Sequence, residues 1–148
     1  SMYFGIAIIA LWALLSLVWF RFPNAAADVY DLLIVRMTAT WYAAVLSRLE
    51  PDSRLLDVGI GTASALARNK ELVLGRRVTV IGIDYERRYV EKAARVVREA
   101  GLGDLVKVHC ISIYQPELRS AFAGKARFDA AYFSGSLTLM PDPPAALR

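Results

Sequence analysis

Cysteine and histidine are nearly missing from this chain of 148 residues, which holds Cys110 and His109 and no other of either kind. A single cysteine excludes an internal disulfide. The same scarcity of soft ligands argues against a metal centre, and none is expected. Both residues sit in the strand-like run VKVHCISI. Neighbours on a strand point to opposite faces, so these two do not make a nucleophile–base pair. Cys110 is expected as a small core residue.

Charge is missing from residues 2–20, MYFGIAIIALWALLSLVWF. That run meets the lower end of the roughly 17–25 residues needed to span a bilayer. Trp19 and Phe20 followed by Arg21 suit a membrane–water boundary. Residues 1–22 are therefore expected to form an apolar N-terminal helix that anchors the chain in a membrane. A helix buried in an oligomer or under the globular part is the alternative. A secretory signal fits poorly, since no basic region precedes the run. Arg21, Arg36 and Arg48 lie on its C-terminal side, which would put the rest of the chain at the cytoplasmic face.

A compact Lys/Arg tract with interleaved aromatics is missing too, although the net charge is +4. Arg87, Arg88, Arg95 and Arg98 alternate with Glu86, Glu91 and Glu99, which reads as a solvated helix face. No nucleic-acid partner is expected. Internal repeats and low-complexity tracts are also missing.

What is present divides into a lead-in and a domain. In residues 23–52, Val29, Leu32, Leu33, Trp41, Val45, Leu46 and Leu49 recur at helical spacing, and Pro51 and Asp52 end the pattern. From residue 53 to residue 148, strands and helices alternate. RLLDV reads as a first strand, followed by a helix over 62–74 ended by Gly75. RVTVIGID is a second strand, then a helix over 86–100 closed by Gly101. DLVKVHCI, a short helix in PELRSAFAG, and RFDAAYFS complete the series. Successive β–α units imply an α/β domain with a parallel sheet and right-handed crossovers.

In such a sheet, ligands bind beyond the carboxyl ends of the strands. The run LLDVGIGTAS puts Asp57, Gly59 and Gly61 at that end of the first strand. Glycine there lets the backbone bend sharply and approach a ligand. A helix starting near Thr62 would turn its first amides to the same cleft. Asp84 ends the second strand, where a carboxylate can accept two hydrogen bonds from a ribose diol. Tyr85 follows and can lie against an adenine face. These residues point to an adenosine-containing ligand, either a dinucleotide or S-adenosylmethionine. The dinucleotide pattern G-x-G-x-x-G would need glycine or alanine at Ser64 and fits poorly. The pattern acid-x-G-x-G-x-G runs from Asp57 with Ala63 in place of the third glycine. A carboxylate at Asp57 would attract the ammonium group of a sulfonium ligand, directly or through water, and repel a pyrophosphate. The plainer readings stay open: turn glycines, Asp84 as a helix N-cap, Tyr85 packing on the surface, Ser134 as a turn residue.

With LLDVGIGTASAL, VTVIGIDYERRYVEKAARVV and RFDAAYFSGSLTLMPDP in order, the chain resembles class I S-adenosylmethionine-dependent methyltransferases over roughly residues 28–148. The lead-in is similar to that of the quinone-biosynthesis and related small-molecule methyltransferases. The resemblance implies a Rossmann-like fold and S-adenosyl-L-methionine as cofactor. It implies cofactor contacts at Asp57, Gly59, Gly61, Thr62, Asp84, Tyr85, Ser112, Ile113 and Ser134. Phe133, Ser134 and Gly135 match the region beside the reactive methyl. Ser112 stands where the family often has an acid that meets the adenine amine. No residue is assigned as a general base.

The family's sheet continues with three further strands, so the domain is expected to be C-terminally incomplete, with about four strands. The fourth would then present an open edge. A fragment, a homodimer that covers the edge, or a protein that has dispensed with catalysis would each account for this. The expected function is methyl transfer to a small, lipophilic acceptor at a membrane. A non-catalytic binding or scaffold protein of the same fold is the alternative, and an NAD-linked oxidoreductase a more remote one.

Overall fold

The computed structural model describes Trp12, Ser16, residues 25–116, Leu118, Phe122, residues 127–134, Pro141, Asp142 and Pro144. The expected helix over residues 1–22 lies outside the described residues apart from Trp12 and Ser16. Among the described residues no helix is long and apolar enough to cross a membrane. The chain divides into two compact units, Ser1–Ile34 and Val35–Arg148.

Helix α1 spans Ala25–Arg48 and contains neither glycine nor proline. The expected helical lead-in is thus one helix. Along it Leu32, Leu33, Met37 and Trp41 are exposed. Tyr42 and Leu46 are buried in the core of the second unit.

Strands β1 (Arg54–Val58), β2 (Thr79–Asp84), β3 (Val106–Cys110) and β4 (Ala130–Phe133) form one four-stranded sheet in the order β3-β2-β1-β4. Every pairing is parallel. The order reverses at β1, because the chain first builds outward through β2 and β3 and then returns to β4. Such a reversal leaves a crevice at the carboxyl ends of the strands. In β1, Asp57 pairs laterally with Gly82 of β2 and Tyr132 of β4. β1 and β2 are largely buried, and Leu55, Val80 and Val106 join Val73, Ala93 and Val97 from the helices in one apolar cluster.

The helix expected over 62–74 is two helices, α2 (Ser64–Ala67) and α3 (Lys70–Arg76). They are separated at Asn69, whose side-chain amide donates to the carbonyls of Ala39 in α1 and Ala65 in α2. Gly75 lies inside α3 and does not end it. The terminator is Arg77, left-handed at φ 52°, and its guanidinium pairs with Asp52. Helix α4 spans Arg87–Glu99 and closes as expected with Gly101 at φ 74°. The Leu102 amide then donates back to the Val97 carbonyl at 2.9 Å, satisfying an end carbonyl of the helix.

Cys110 is exposed, contrary to the core position expected for it. It is the last residue of β3, and β3 stands at the end of the strand order. Its thiol faces the Tyr85 carbonyl at 3.7 Å. His109 is half-buried, its ring edge-on to Phe122. In the expected helix over PELRSAFAG, Leu118 and Phe122 are helical and most of the rest is outside the described residues.

Candidate functional site

The glycine turn after β1 is held on several sides. The Gly59 and Ile60 amides both donate to the Ile83 carbonyl at 2.9 and 3.2 Å. The Gly61 amide donates to Asp84 Oδ2 at 3.1 Å, and the Ser134 hydroxyl donates to the Gly59 carbonyl at 3.0 Å. Gly59 and Gly61 take φ of 76° and 60°, the left-handed region where a side chain is strained. A Cβ on Gly61 would meet no atom within 4 Å. Conformation therefore asks for glycine there, and open space remains beside it.

Ala63 shares that conformation at φ 59° and caps α2 with no side-chain bond. A left-handed alanine costs about 1–2 kcal/mol. Its buried methyl returns about 0.8 kcal/mol, and alanine also leaves a less floppy unfolded chain by about 0.4–1 kcal/mol. These terms nearly cancel, which is why alanine is tolerated at the third glycine position.

Above the turn lies a cavity of about 520 Å³ at the carboxyl ends of the strands. Gly59, Gly61, Asp84, Tyr85, Ser112, Ile113 and Ser134 all line it. Asp57 and Thr62, expected beside them, are not part of its wall. The Thr62 hydroxyl is paired instead with that of Ser64 at 2.8 Å. Gly135 is outside the described residues. Sequence reasoning missed Tyr89 and Tyr114 at this site. Tyr89 lies in the first turn of α4, close in sequence to Asp84 and Tyr85, and that proximity was the available signal. Tyr114 meets Asp142 through its hydroxyl, a contact across 28 residues that no local pattern reveals.

Asp84 is nearly buried, at 8% exposure. It does not cap α4: Glu86 does, and Asp84 Oδ1 accepts the Glu86 amide at 2.9 Å. The carboxylate thus binds two backbone amides. A carboxylate offers about four lone-pair sites, so about two stay available toward the cavity.

Asp57 is fully buried beneath the turn. The Tyr42 hydroxyl, from α1, donates to its Oδ2 at 2.6 Å, while Oδ1 has no partner among the described residues. Burial pushes the Asp57 carboxyl from an ordinary 3.8 up to about 7, with the nearby Asp84 adding to the rise and the Tyr42 bond opposing it. Burial likewise pushes the Tyr42 phenol well above its usual value, helped by Asp57, so it stays a hydrogen-bond donor. The rings of Tyr42 and Tyr132 meet edge-to-face at 5.0 Å. The sequence predicted Asp57 beside the ammonium group of the ligand, directly or through water. In the structure Asp57 is not among the lining residues, and its side chain points to Tyr42 of α1.

A parallel sheet that reverses at β1, with a glycine turn after that strand and an acid ending the next, is the Rossmann-like arrangement shared with methyltransferases of known structure. The chain belongs to the protein-L-isoaspartate(D-aspartate) O-methyltransferase (PCMT) family, whose model matches residues 30–145. No curated protein sequence matches it. Among solved structures, the [4+2]-cyclase SpnF is 29% identical, with a TM-score of 0.61 over 74% of this chain and 38% of that one. A methyltransferase from Geobacter sulfurreducens in complex with S-adenosyl-L-homocysteine is 22% identical, with a TM-score of 0.54 over 74% of this chain and 40% of that one. The chain thus spans 38% and 40% of the length of these two structures.

Proposed function

We propose that the cavity holds S-adenosyl-L-methionine and that the protein transfers its methyl group to an acceptor. The observation that carries this reading is the convergence of Gly59, Gly61, Asp84, Tyr85 and Ser112 on one cavity, in a chain of a methyltransferase family. The residues fit the ligand. Asp84 keeps lone pairs for a ribose diol. Tyr85, 80% exposed at the rim, is free to lie on adenine. Ser112 and Ile113 would flank the base, and among the described residues the buried Oδ1 of Asp57 lacks a partner that a nearby cation would supply electrostatically. When bound, the cofactor supplies an electrophilic methyl on positive sulfur; on transfer, the sulfur keeps the electron pair of the broken bond and becomes neutral.

The chain's own part is to bind and align. Asp84 is the one carboxylate among the described lining residues, and it is tied to two amides, so no general base is assigned. Val58, Ile83, Ile111 and Ile113 give the cavity an apolar wall. Alignment of donor and acceptor can contribute roughly 7–11 kcal/mol.

For the acceptor, we retain a small lipophilic molecule at a membrane. Support comes from the uncharged residues 2–20, from Arg21 after them, and from the lead-in's similarity to quinone-biosynthesis methyltransferases. Arg36 and Arg48 favour the cytoplasmic face. The family description names instead protein L-isoaspartate (D-aspartate). Labelled-donor assays on a lipid extract and on an isoaspartyl peptide separate the two; transfer to the peptide alone removes the lipophilic acceptor. The SpnF neighbour favours a second reading, in which the same fold serves chemistry other than methyl transfer. No transfer to either acceptor by a chain that binds the donor would support it.

Calorimetric titration with S-adenosylmethionine and with NAD tests the site. Binding of the first alone is expected, and binding of NAD alone would falsify the assignment. Asp84→Ala should weaken the donor by about 1–3 kcal/mol, the cost of hydrogen bonds lost at a buried site.

A further inference from the structure

Asp57 is a buried charge that the cavity wall does not include. It lies within β1, two residues before Gly59, and is fully buried. Among the described residues, the titratable groups that act on it are Tyr42 from α1, Asp84 from β2 and Tyr132 from β4. All are acids or phenols; no cation is among them. A buried carboxylate without a positive partner is unfavourable, and it strengthens any interaction with a cation brought close by in the same low-dielectric surroundings. The next two residues, Val58 and Gly59, line the cavity. A cationic ligand there would supply the charge that the described residues omit.

We propose that Asp57 is a specificity-determining residue: its charge lets the cavity tell the cationic methyl donor from the neutral thioether that remains after transfer. Tyr42 is the positioning residue that holds this carboxylate under the glycine turn. The inference rests on the reading of the cavity as a site for S-adenosylmethionine. Donor and product share the adenosine, the carboxylate and the ammonium group. They differ by a methyl and one positive charge on sulfur, so the ratio of their affinities isolates that charge. Asp57 ionises through about pH 7. The discrimination is therefore present above that pH and fades below it. Loss of the Tyr42 bond, which opposes the rise, moves the transition to higher pH.

The test measures dissociation constants of S-adenosylmethionine and S-adenosylhomocysteine by calorimetry on the full chain, from about pH 5.5 to about pH 8.5. The product-to-donor ratio should rise about tenfold with pH, the change expected when the donor lowers the Asp57 pKa by about one unit more than the product does. In Asp57→Asn the ratio should be flat. In Tyr42→Phe it should still rise, but at higher pH. A flat ratio in the unaltered protein overturns the inference while leaving the cofactor assignment intact. Binding of neither nucleoside overturns both. If Asp57→Asn does not fold, Tyr42→Phe decides, and an unmoved midpoint counts against Asp57.

Discussion

Asp57→Asn should remove a pH dependence from the stability of this protein. The folded carboxyl titrates at about 7, against 3.8 for an ordinary aspartate. The folded state then holds the proton more tightly than the unfolded chain, so stability falls as pH rises between those values and levels off above them. A gap of about three units at 1.36 kcal/mol each amounts to about 4 kcal/mol at full ionisation. From about pH 5 to about pH 8 the share lost is about 2–3 kcal/mol. Asparagine keeps an oxygen for the Tyr42 hydroxyl but puts an amide where Oδ1 now lacks a partner. That buried amide carries a cost of about 1–3 kcal/mol at every pH. The size of the substitution effect at one pH is therefore uninformative, while its change with pH is diagnostic. Urea unfolding followed by tryptophan fluorescence should show the variant gaining about 2–3 kcal/mol on the parent between the two pH values. Other ionisable groups cancel in that difference. A difference constant to within about 0.5 kcal/mol would refute the burial argument for Asp57.

Gly82→Ala should destabilise by about 1–3 kcal/mol in the same assay, as overpacking does; its Cβ would stand 2.4 Å from Ile60 Cδ1 and 3.2 Å from Ile60 Cβ, so the Ile60 side chain, which belongs to the glycine turn, must move. Nucleoside affinity should fall with it, and an unchanged affinity would show that the turn tolerates the shift. Ala63→Gly should change stability by less than about 1 kcal/mol, since relief of left-handed strain is offset by the lost methyl and a more flexible unfolded chain. Tyr85→Ala should leave the urea midpoint in place, because the ring is exposed, yet weaken nucleoside binding by about 0.5–1.5 kcal/mol if it lies on adenine.

Much of the framework was readable because its signals are local. RLLDV and VTVIGID are short apolar, β-branched runs, and each pairs as a parallel strand. Gly101 ends α4 through its own left-handed conformation. Gly59, Gly61 and Asp84 were placed at the cleft by the general rule that ligands meet the carboxyl ends of parallel strands. The misses share a different cause. Gly75 looked like a helix end, but the chain turned at Arg77, where Asp52 holds the guanidinium. Cys110 read as core because its run is apolar, yet its strand ends the order of the sheet.

The linear order of residues determined the alternation of strands and helices, the glycine turn and the acid that follows it, because periodicity and backbone preference act within a few neighbours. Tertiary structure alone decided that Asp57 lies beneath the cavity and not in its wall, that Tyr42 reaches it from α1, and that Tyr89 and Tyr114 join the site. Burial and charge depend on which surfaces meet. Tyr42 and Asp57 meet only once Tyr42 packs against β1 and β4, so their hydrogen bond is a property of the folded chain and of no segment within it.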